Sequence, residues 1–267
     1  MAMESSHMDT ALELGREAGA IMRKNFVSQM KKEWKDERSP VTETDLAINA
    51  LVLQEIKQRY PDHGILAEEE SDHKDSHEYV WICDPVDGTH NFSHGLPTAT
   101  FALALTRSGE PMLGLIVDPF EDRTYYAEKG KGAFLNGTPI HVSSSGSVKK
   151  TLMGLGKTRD LKNLFPVMDA LYQKGVSMIT GLSIHYLSSL VATGEFSASI
   201  FGGSLPHDMT PAKIIIEEAG GCVTDMYGKT PERYDRPMAG QLCSNGLVHD
   251  EVLAALALGP DLKKAGV

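Results

Sequence analysis

Residues 80–92 read VWICDPVDGTHNF. An apolar run stops at Cys83; Asp84 and Asp87 follow, with Pro85 between them and Gly88-Thr89 directly after. The run has the composition of a buried strand. Pro85 fixes one backbone dihedral, and Gly88 lets the backbone approach another group closely. Two carboxylates on such a turn, with the Val86 carbonyl between them, can supply the oxygen ligands that a hard cation such as Mg2+ demands. A helix starting near Thr89 would offer free backbone amides to a phosphate beside that cation. An Asp-rich turn that only caps the helix would read the same way, and the local sequence leaves both open.

Other acids lie outward from this stretch. Residues 65–71 read ILAEEES, three glutamates after an apolar strand. VTETD at 41–45 puts Asp45 at the start of a helix, and LPHDMTPAKIIIEEAGG at 205–221 puts Asp208 at the start of another. Solvation would account for any one glutamate, and capping for either aspartate. Together they make four acidic stations, each at a strand end or a helix start, where open α/β folds gather ligands. Carboxylates brought together without a cation repel and raise one another's pKa; a bound metal relieves this.

The rest of the chain supplies the frame. Helical spacing predicts a helix over 9–27 and a second over 45–59, capped by Thr42 or Thr44. Polar residues 29–40 between them read as an exposed loop or hairpin. Short strands are predicted at 64–66, 79–83, 99–106, 112–118, 123–128 and 133–135, with a tight turn at Asn136-Gly137. Ser143–Ser147 reads as a linker. It divides an N-terminal α+β subdomain, 1–145, carrying most of the acids, from a C-terminal α/β subdomain, 146–267. The second part alternates: strands near 150–155, 176–179, 197–201, 222–225 and 240–243, and helices at 159–173, 183–193, 209–219 and 247–257. Such alternation around a strand-rich centre implies stacked α and β layers.

Composition removes several classes of function. No apolar run approaches the roughly 20 residues that span a bilayer, so no membrane partner is expected. MAMESSHM at the N-terminus lacks a basic-then-apolar signal pattern, which favours the cytoplasm. Cys83, Cys222 and Cys243 are far apart and odd in number, as expected of free thiols rather than a disulfide or zinc framework. A formal net charge of −10 argues against nucleic acid as a partner and suits a protein that gathers cations.

DPVDGTHNF resembles the DP-x-DGT-x-NF signature of the inositol monophosphatase family, within the lithium-sensitive, magnesium-dependent phosphatases. Further landmarks follow in order: VTETD, ILAEEES after a Tyr-Pro step, AEKGKGAFLNG, LVATG and HDMTPAKIIIEEAGG. The resemblance spans about residues 9–257 and implies a layered αβαβα sandwich. It implies that Glu68, Asp84, the Val86 carbonyl, Asp87 and Asp208 hold two or three Mg2+ ions, with Asp84 bridging two of them. Glu68 is preferred to Glu69 or Glu70 because the stretch from Asp45 matches without a gap. Asp45, Glu68 and Thr89 would serve catalysis. Gly88 and Thr89 would meet the phosphate, with Asp87, Ser183, Phe201 and Asp208 lining the substrate. The implied reaction is direct attack of water on a phosphomonoester, in a homodimer inhibited by lithium.

The stretch that selects the substrate departs from the family. Members acting on inositol phosphate carry an arginine where this chain has Ile179, and a Gly-Ser/Thr-Ala turn where it has Leu182-Ser183-Ile184. A glutamate that contacts inositol hydroxyls falls at Phe201, and a tryptophan at His207. These changes remove polar partners for a polyol, and a site that hydrogen-bonds a hydroxyl owes much of its selectivity to that bond. Inositol 1-phosphate is the default substrate, fructose 1,6-bisphosphate its rival, and 3′-phosphoadenosine 5′-phosphate a more distant one. A metal- and phosphate-binding regulatory protein is the alternative outside enzymes.

Overall fold

Ser6 caps α1 (His7–Asn25): its side chain accepts from the Asp9 N–H, and Asp9 accepts in return from the Ser6 N–H. Two antiparallel strands, β1 (Lys32–Trp34) and β2 (Pro40–Thr42), separate α1 from α2 (Glu43–Arg59). These elements come from a computed structural model that describes residues 6–27, 30–34, 40–73, 76–156 and 164–258. The hairpin alternative for 29–40 is therefore the one seen, with residues 29 and 35–39 outside the described set. Thr42, not Thr44, caps α2, and Asp45 completes a second reciprocal box.

A seven-stranded sheet follows. Its strands are β3 (Gly64–Ala67), β4 (Tyr79–Asp87), β5 (Thr100–Arg107), β6 (Glu110–Asp118), β7 (Arg123–Glu128), β8 (Ala133–Leu135) and β9 (Thr138–Pro139), side by side in chain order. A short helix, α3 (Thr89–Ser93), joins β4 to β5. The strand expected at 79–83 is longer, because the Asp-Pro-Val-Asp step is not a turn. Opposite β5, Asp84 pairs with Ala102 and Asp87 with Thr100, so β4 carries one extra residue there. This is a bulge, and Pro85, with no N–H to give the ladder, sits where the ladder is already broken.

After residue 143 the chain builds a second sheet. Its elements are β10 (Leu152–Leu155), α4 (Phe165–Gln173), β11 (Ser177–Thr180), α5 (Ile184–Ala192), β12 (Phe196–Phe201), α6 (Pro206–Glu218), β13 (Cys222–Thr224), β14 (Gln241–Ser244) and α7 (His249–Leu256). The strands run in the order β11-β10-β12-β14-β13. Part of the helix expected at 159–173 lies outside the described residues; α4 starts at Phe165. The α6 helix starts three residues before the expected 209, because Pro206 fits the first helical turn, where its missing N–H costs nothing.

Packing stacks these elements in five layers. Leu113, Leu115 and Val117 on one face of β6 join α1 and α2 in the first core. A Cβ on Gly15 would lie 2.6 Å from Leu115 Cδ2, so α1 sits directly on the strand. On the other face Ile116 joins Leu187 and Val191 of α5, Ile214 to Ile216 of α6, and Phe196, Val223 and Cys243 of the second sheet. A Cβ on Gly114 would meet the Pro211 oxygen at 2.5 Å, so α6 lies flush against β6. The far face of the second sheet packs Met153, Ile200 and Leu242 against Leu171 of α4 and Val252 of α7. The order helix, sheet, helix, sheet, helix is the expected αβαβα sandwich. Among the described residues no helix is long and apolar enough to cross a membrane, and all three cysteines are free.

Candidate active site

The bulge at the end of β4 turns two carboxylates inward. Asp84 is 1 % exposed and Asp87 8 % exposed. Gly88 then takes a φ of +84°, the left-handed region that glycine enters without a Cβ penalty, and the chain goes straight into α3. Val86 is buried, and its carbonyl oxygen and Asp45 are alternative acceptors for the one proton of the Thr89 hydroxyl, the carbonyl at 2.8 Å. The same hydroxyl lies 3.0 Å from Asp45 Oδ1. Oδ2 of Asp45 accepts from the Thr42 hydroxyl at 2.5 Å and the Thr42 N–H at 2.9 Å. Asp45 thus does two things: it caps α2, and its second oxygen reaches the bulge. Capping is present, and it leaves Asp45 Oδ1 directed at the bulge.

Asp87 is held from across the molecule. Its Oδ2 accepts from the Ser183 hydroxyl at 2.5 Å and from the His185 N–H at 2.7 Å, in the first turn of α5. A carboxylate at a helix N-terminus answers unpaired N–H groups and the positive end of the dipole. The sequence placed Ser183 at the substrate. It is instead 1 % exposed and caps α5, accepting from the Tyr186 N–H, with Thr100 Oγ1 at 3.0 Å. Phe201, also placed at the substrate, packs inward with Ile184, Met209, Tyr234 and Met238. An apolar ring in an apolar cluster is the reason: exposing it would forfeit its burial.

Glu68 follows β3 and Asp208 stands in the first turn of α6; both are half-buried. The carboxyl of Asp84 is pushed well up, first by desolvation, then by Glu68, Asp87, Asp208 and Asp45 in that order. Asp208 is also pushed well up, by desolvation and then by Asp87 and Glu68. Burial raises Asp45, against the pull of its bonds from Thr42 and Thr89. Desolvation leads these shifts, and the mutual repulsion expected when carboxylates converge without a cation adds to it. Asp84 Oδ1 is buried and has no hydrogen-bond partner among the described residues. An orphaned carboxylate oxygen among acids that repel is what a divalent cation satisfies, so the donor set fits Mg2+.

Ligand atoms of Asp84, Asp87 and His185 lie within 4.8 Å of one another. Sequence reasoning gave His185 no role. It lies within SIHYLSSL, whose other landmarks concern the LVATG that follows, and nothing local marks it. His207, at the position of the family's tryptophan, is 7 % exposed, and its carbonyl faces His185 Nε2 at 2.8 Å. His90 and His94 lie near β1 with their rings tilted 34° to each other at 4.6 Å, and His94 Nε2 is 2.9 Å from Lys32 Nζ.

Comparison with known proteins agrees with this geometry. The family model described as "Inositol monophosphatase family" matches residues 4–258. A fructose-1,6-bisphosphatase/inositol-1-monophosphatase of Thermotoga maritima is 32 % identical over 250 residues, covering 92 % of this chain and 94 % of its own. Inositol monophosphatase 1 of Solanum lycopersicum is 35 % identical over 231 residues, covering 83 % and 85 %. A solved structure of a Thermotoga maritima IMPase superposes with a TM-score of 0.86 at 30 % identity, covering 97 % of this chain and 99 % of that one.

Proposed function

We propose a substrate and a division of labour for this chain, which belongs to the inositol monophosphatase family and is a phosphoric monoester hydrolase of a Mg2+-dependent kind. The substrate is a small phosphorylated metabolite, inositol 1-phosphate by default and fructose 1,6-bisphosphate as the alternative. One observation carries the reading: the buried, partnerless oxygen of Asp84 amid carboxylates that raise its pKa. The relative whose name joins both substrates supports keeping both open.

Glu68, Asp84, the Val86 carbonyl, Asp87 and Asp208 are assigned to two or three Mg2+ ions. Bound there, the cations would lower the pKa of water and neutralise charge on the phosphate and leaving oxygen. The chain's own residues do the rest. Thr89 Oγ1 stands between the Val86 carbonyl and Asp45, with one proton to give and a lone pair for a water O–H. As that water attacks phosphorus, its proton passes to Thr89 Oγ1, and the Thr89 proton passes to Asp45 Oδ1. Burial raises Asp45 and so makes it a better base than a free aspartate. Gly88 and Thr89 bring main-chain N–H groups toward the phosphate, and Ser183 positions Asp87. A homodimer and lithium sensitivity follow from the resemblance and, with a cytoplasmic setting, are part of the proposal.

The test is phosphate release from inositol 1-phosphate, fructose 1,6-bisphosphate and 3′-phosphoadenosine 5′-phosphate, each with Mg2+, with EDTA, and with Mg2+ plus lithium. Metal-dependent turnover is expected, fastest on inositol 1-phosphate. Turnover that survives EDTA would sink the metal assignment, and a wide preference for another substrate would sink the default.

A further inference from the structure

His185 is fully buried, and one of its ring nitrogens lies within 4.8 Å of carboxylate oxygens of both Asp84 and Asp87. Its Nε2 is 2.8 Å from the His207 carbonyl oxygen. A carbonyl only accepts, so Nε2 carries the proton and Nδ1 holds the lone pair of the neutral ring. Nδ1 is buried and has no hydrogen-bond partner among the described residues.

The His207 carbonyl is available for a reason visible in α6. In a regular helix it would accept from the N–H four residues on, but position 211 is proline and has none. Pro211 therefore removes that helical donor from the His207 carbonyl, and His185 Nε2–H reaches it instead. A metal-binding histidine usually donates its second N–H to a carbonyl or carboxylate, which fixes the tautomer and aims the other nitrogen. That arrangement is present here before any ion is considered.

We propose that His185 Nδ1 is a ligand to the cation held by Asp84 and Asp87, and that it biases this site toward first-row transition dications over Mg2+. Ser183 and the His185 N–H occupy Oδ2 of Asp87, leaving Oδ1 for the ion. With the orphaned Asp84 Oδ1 and the imidazole, these three residues offer two oxygens and a nitrogen, beside the Asp208 carboxylate assigned to the same ions. Imidazole favours transition dications, whereas Mg2+ prefers oxygen alone. The inference rests on the metal reading above and adds a nitrogen to it.

The experiment uses the untagged full chain with substoichiometric Mn2+ as a paramagnetic probe. Pulsed EPR of the wild type should show ¹⁴N coupling from a directly bound imidazole. The coupling should vanish in His185→Gln, whose side-chain amide can still reach the His207 carbonyl but has no nitrogen at the δ1 place. It should vanish also in Asp84→Asn, which ties the signal to this cluster rather than to surface histidines. Calorimetry should show Mn2+ binding weakened about tenfold or more in His185→Gln, and Mg2+ binding changed less than about threefold. Bound Mn2+ without nitrogen coupling in the wild type overturns the ligand assignment and leaves the carboxylate site standing. So does unchanged Mn2+ affinity in His185→Gln. No binding of either cation by the wild type overturns the metal reading itself. The wild-type spectrum decides even if His185→Gln fails to fold.

Discussion

The bulge at the end of β4 and the wall formed by the start of α5 with the end of β12 face the same site, yet they are built on opposite principles. The bulge uses backbone devices: a proline, a left-handed glycine and a carbonyl between two acids. The wall uses packing: Ser183 caps a helix, Phe201 is buried among Ile184 and Met209, and Ile179 stands half in solvent on an edge strand. Backbone devices leave short-range marks in a sequence. Packing depends on partners far along the chain. The bulge is therefore the legible half of the site, and the wall is the half whose residues depart from the inositol-acting pattern.

The sharpest way to break the comparison is at the bulge. Asp87→Asn should cut phosphate release at least about a hundredfold, because it removes a ligand charge that the cation's Lewis-acid role depends on. The amide oxygen can still accept from Ser183 and the His185 N–H, so circular dichroism and melting should stay near wild type. Activity that survives would move the acid from the chemistry to the frame. Thr89→Ala should cost about a hundredfold, at the low end of what positioned proton transfer contributes. Thr89→Ser, which keeps the hydroxyl, should recover most of that loss. Equal loss in both would mean that the methyl group, not the proton path to Asp45, matters.

A metal-free preparation probes the same cluster through stability. The folded pKa values of Asp84, Asp208 and Asp45 are raised above their ordinary values near 3.8. Each therefore favours the folded state fully below about pH 4 and loses that contribution as pH rises through its folded value. Without metal, these three groups oppose folding at pH 7.5 and cease to do so on acidification. Mg2+ should raise the melting temperature more at pH 7.5 than at pH 5. At 100 times its dissociation constant the expected gain is about 2.7 kcal/mol, or roughly 5–10 °C. An equal gain at both pH values would show that the cation does not discharge these acids.

What could be read from the sequence follows the same division. The glycine at 88 and the acids at 45, 84, 87 and 208 stand out by local pattern, the cap is narrowed to Thr42 or Thr44, Glu68 is singled out among three glutamates only by the family resemblance, and the alternating second half implies the layers. The reading of 84–87 as a turn failed because Asp-Pro-Val-Asp is a turn by composition, and only pairing with β5 makes it a bulge. Ser183 and Phe201 were placed at the substrate by alignment to a family motif, whereas their surroundings come from Thr100, Met209 and Tyr234. His185 was passed over because its partner is a carbonyl 22 residues away, opened by a proline four residues further on. No window of sequence contains both.

Between the two halves lies the seam at Gly114, where β6 meets α6. Gly114→Ala would put a Cβ 2.5 Å from the backbone oxygen of Pro211 and 2.6 Å from Ile214 Cγ2. Overpacking of this kind costs about 1–3 kcal/mol, roughly 2–12 °C in melting temperature for a chain of this size. Because α6 carries Asp208, Mg2+ affinity should fall with it. A large thermal loss with unchanged Mg2+ affinity would mean that Asp208 is positioned independently of the seam.

The smallest effect is expected on the wall. Ile179 is 37 % exposed on β11, so Ile179→Arg should change stability by less than about 0.5 kcal/mol. The guanidinium would restore a donor at the position where the inositol-acting pattern has an arginine. The ratio of kcat/KM for inositol 1-phosphate to that for fructose 1,6-bisphosphate should then rise by up to about tenfold, the worth of roughly one hydrogen bond to a charged group. The gain is capped because Phe201 still stands where that pattern has an acid, and its ring cannot be exchanged for a carboxylate without burying a charge among Ile184, Met209 and Met238. If Ile179→Arg leaves the ratio unchanged, β11 does not touch substrate, and selectivity must be sought nearer the bulge, where the two halves of the site would then cease to be separable.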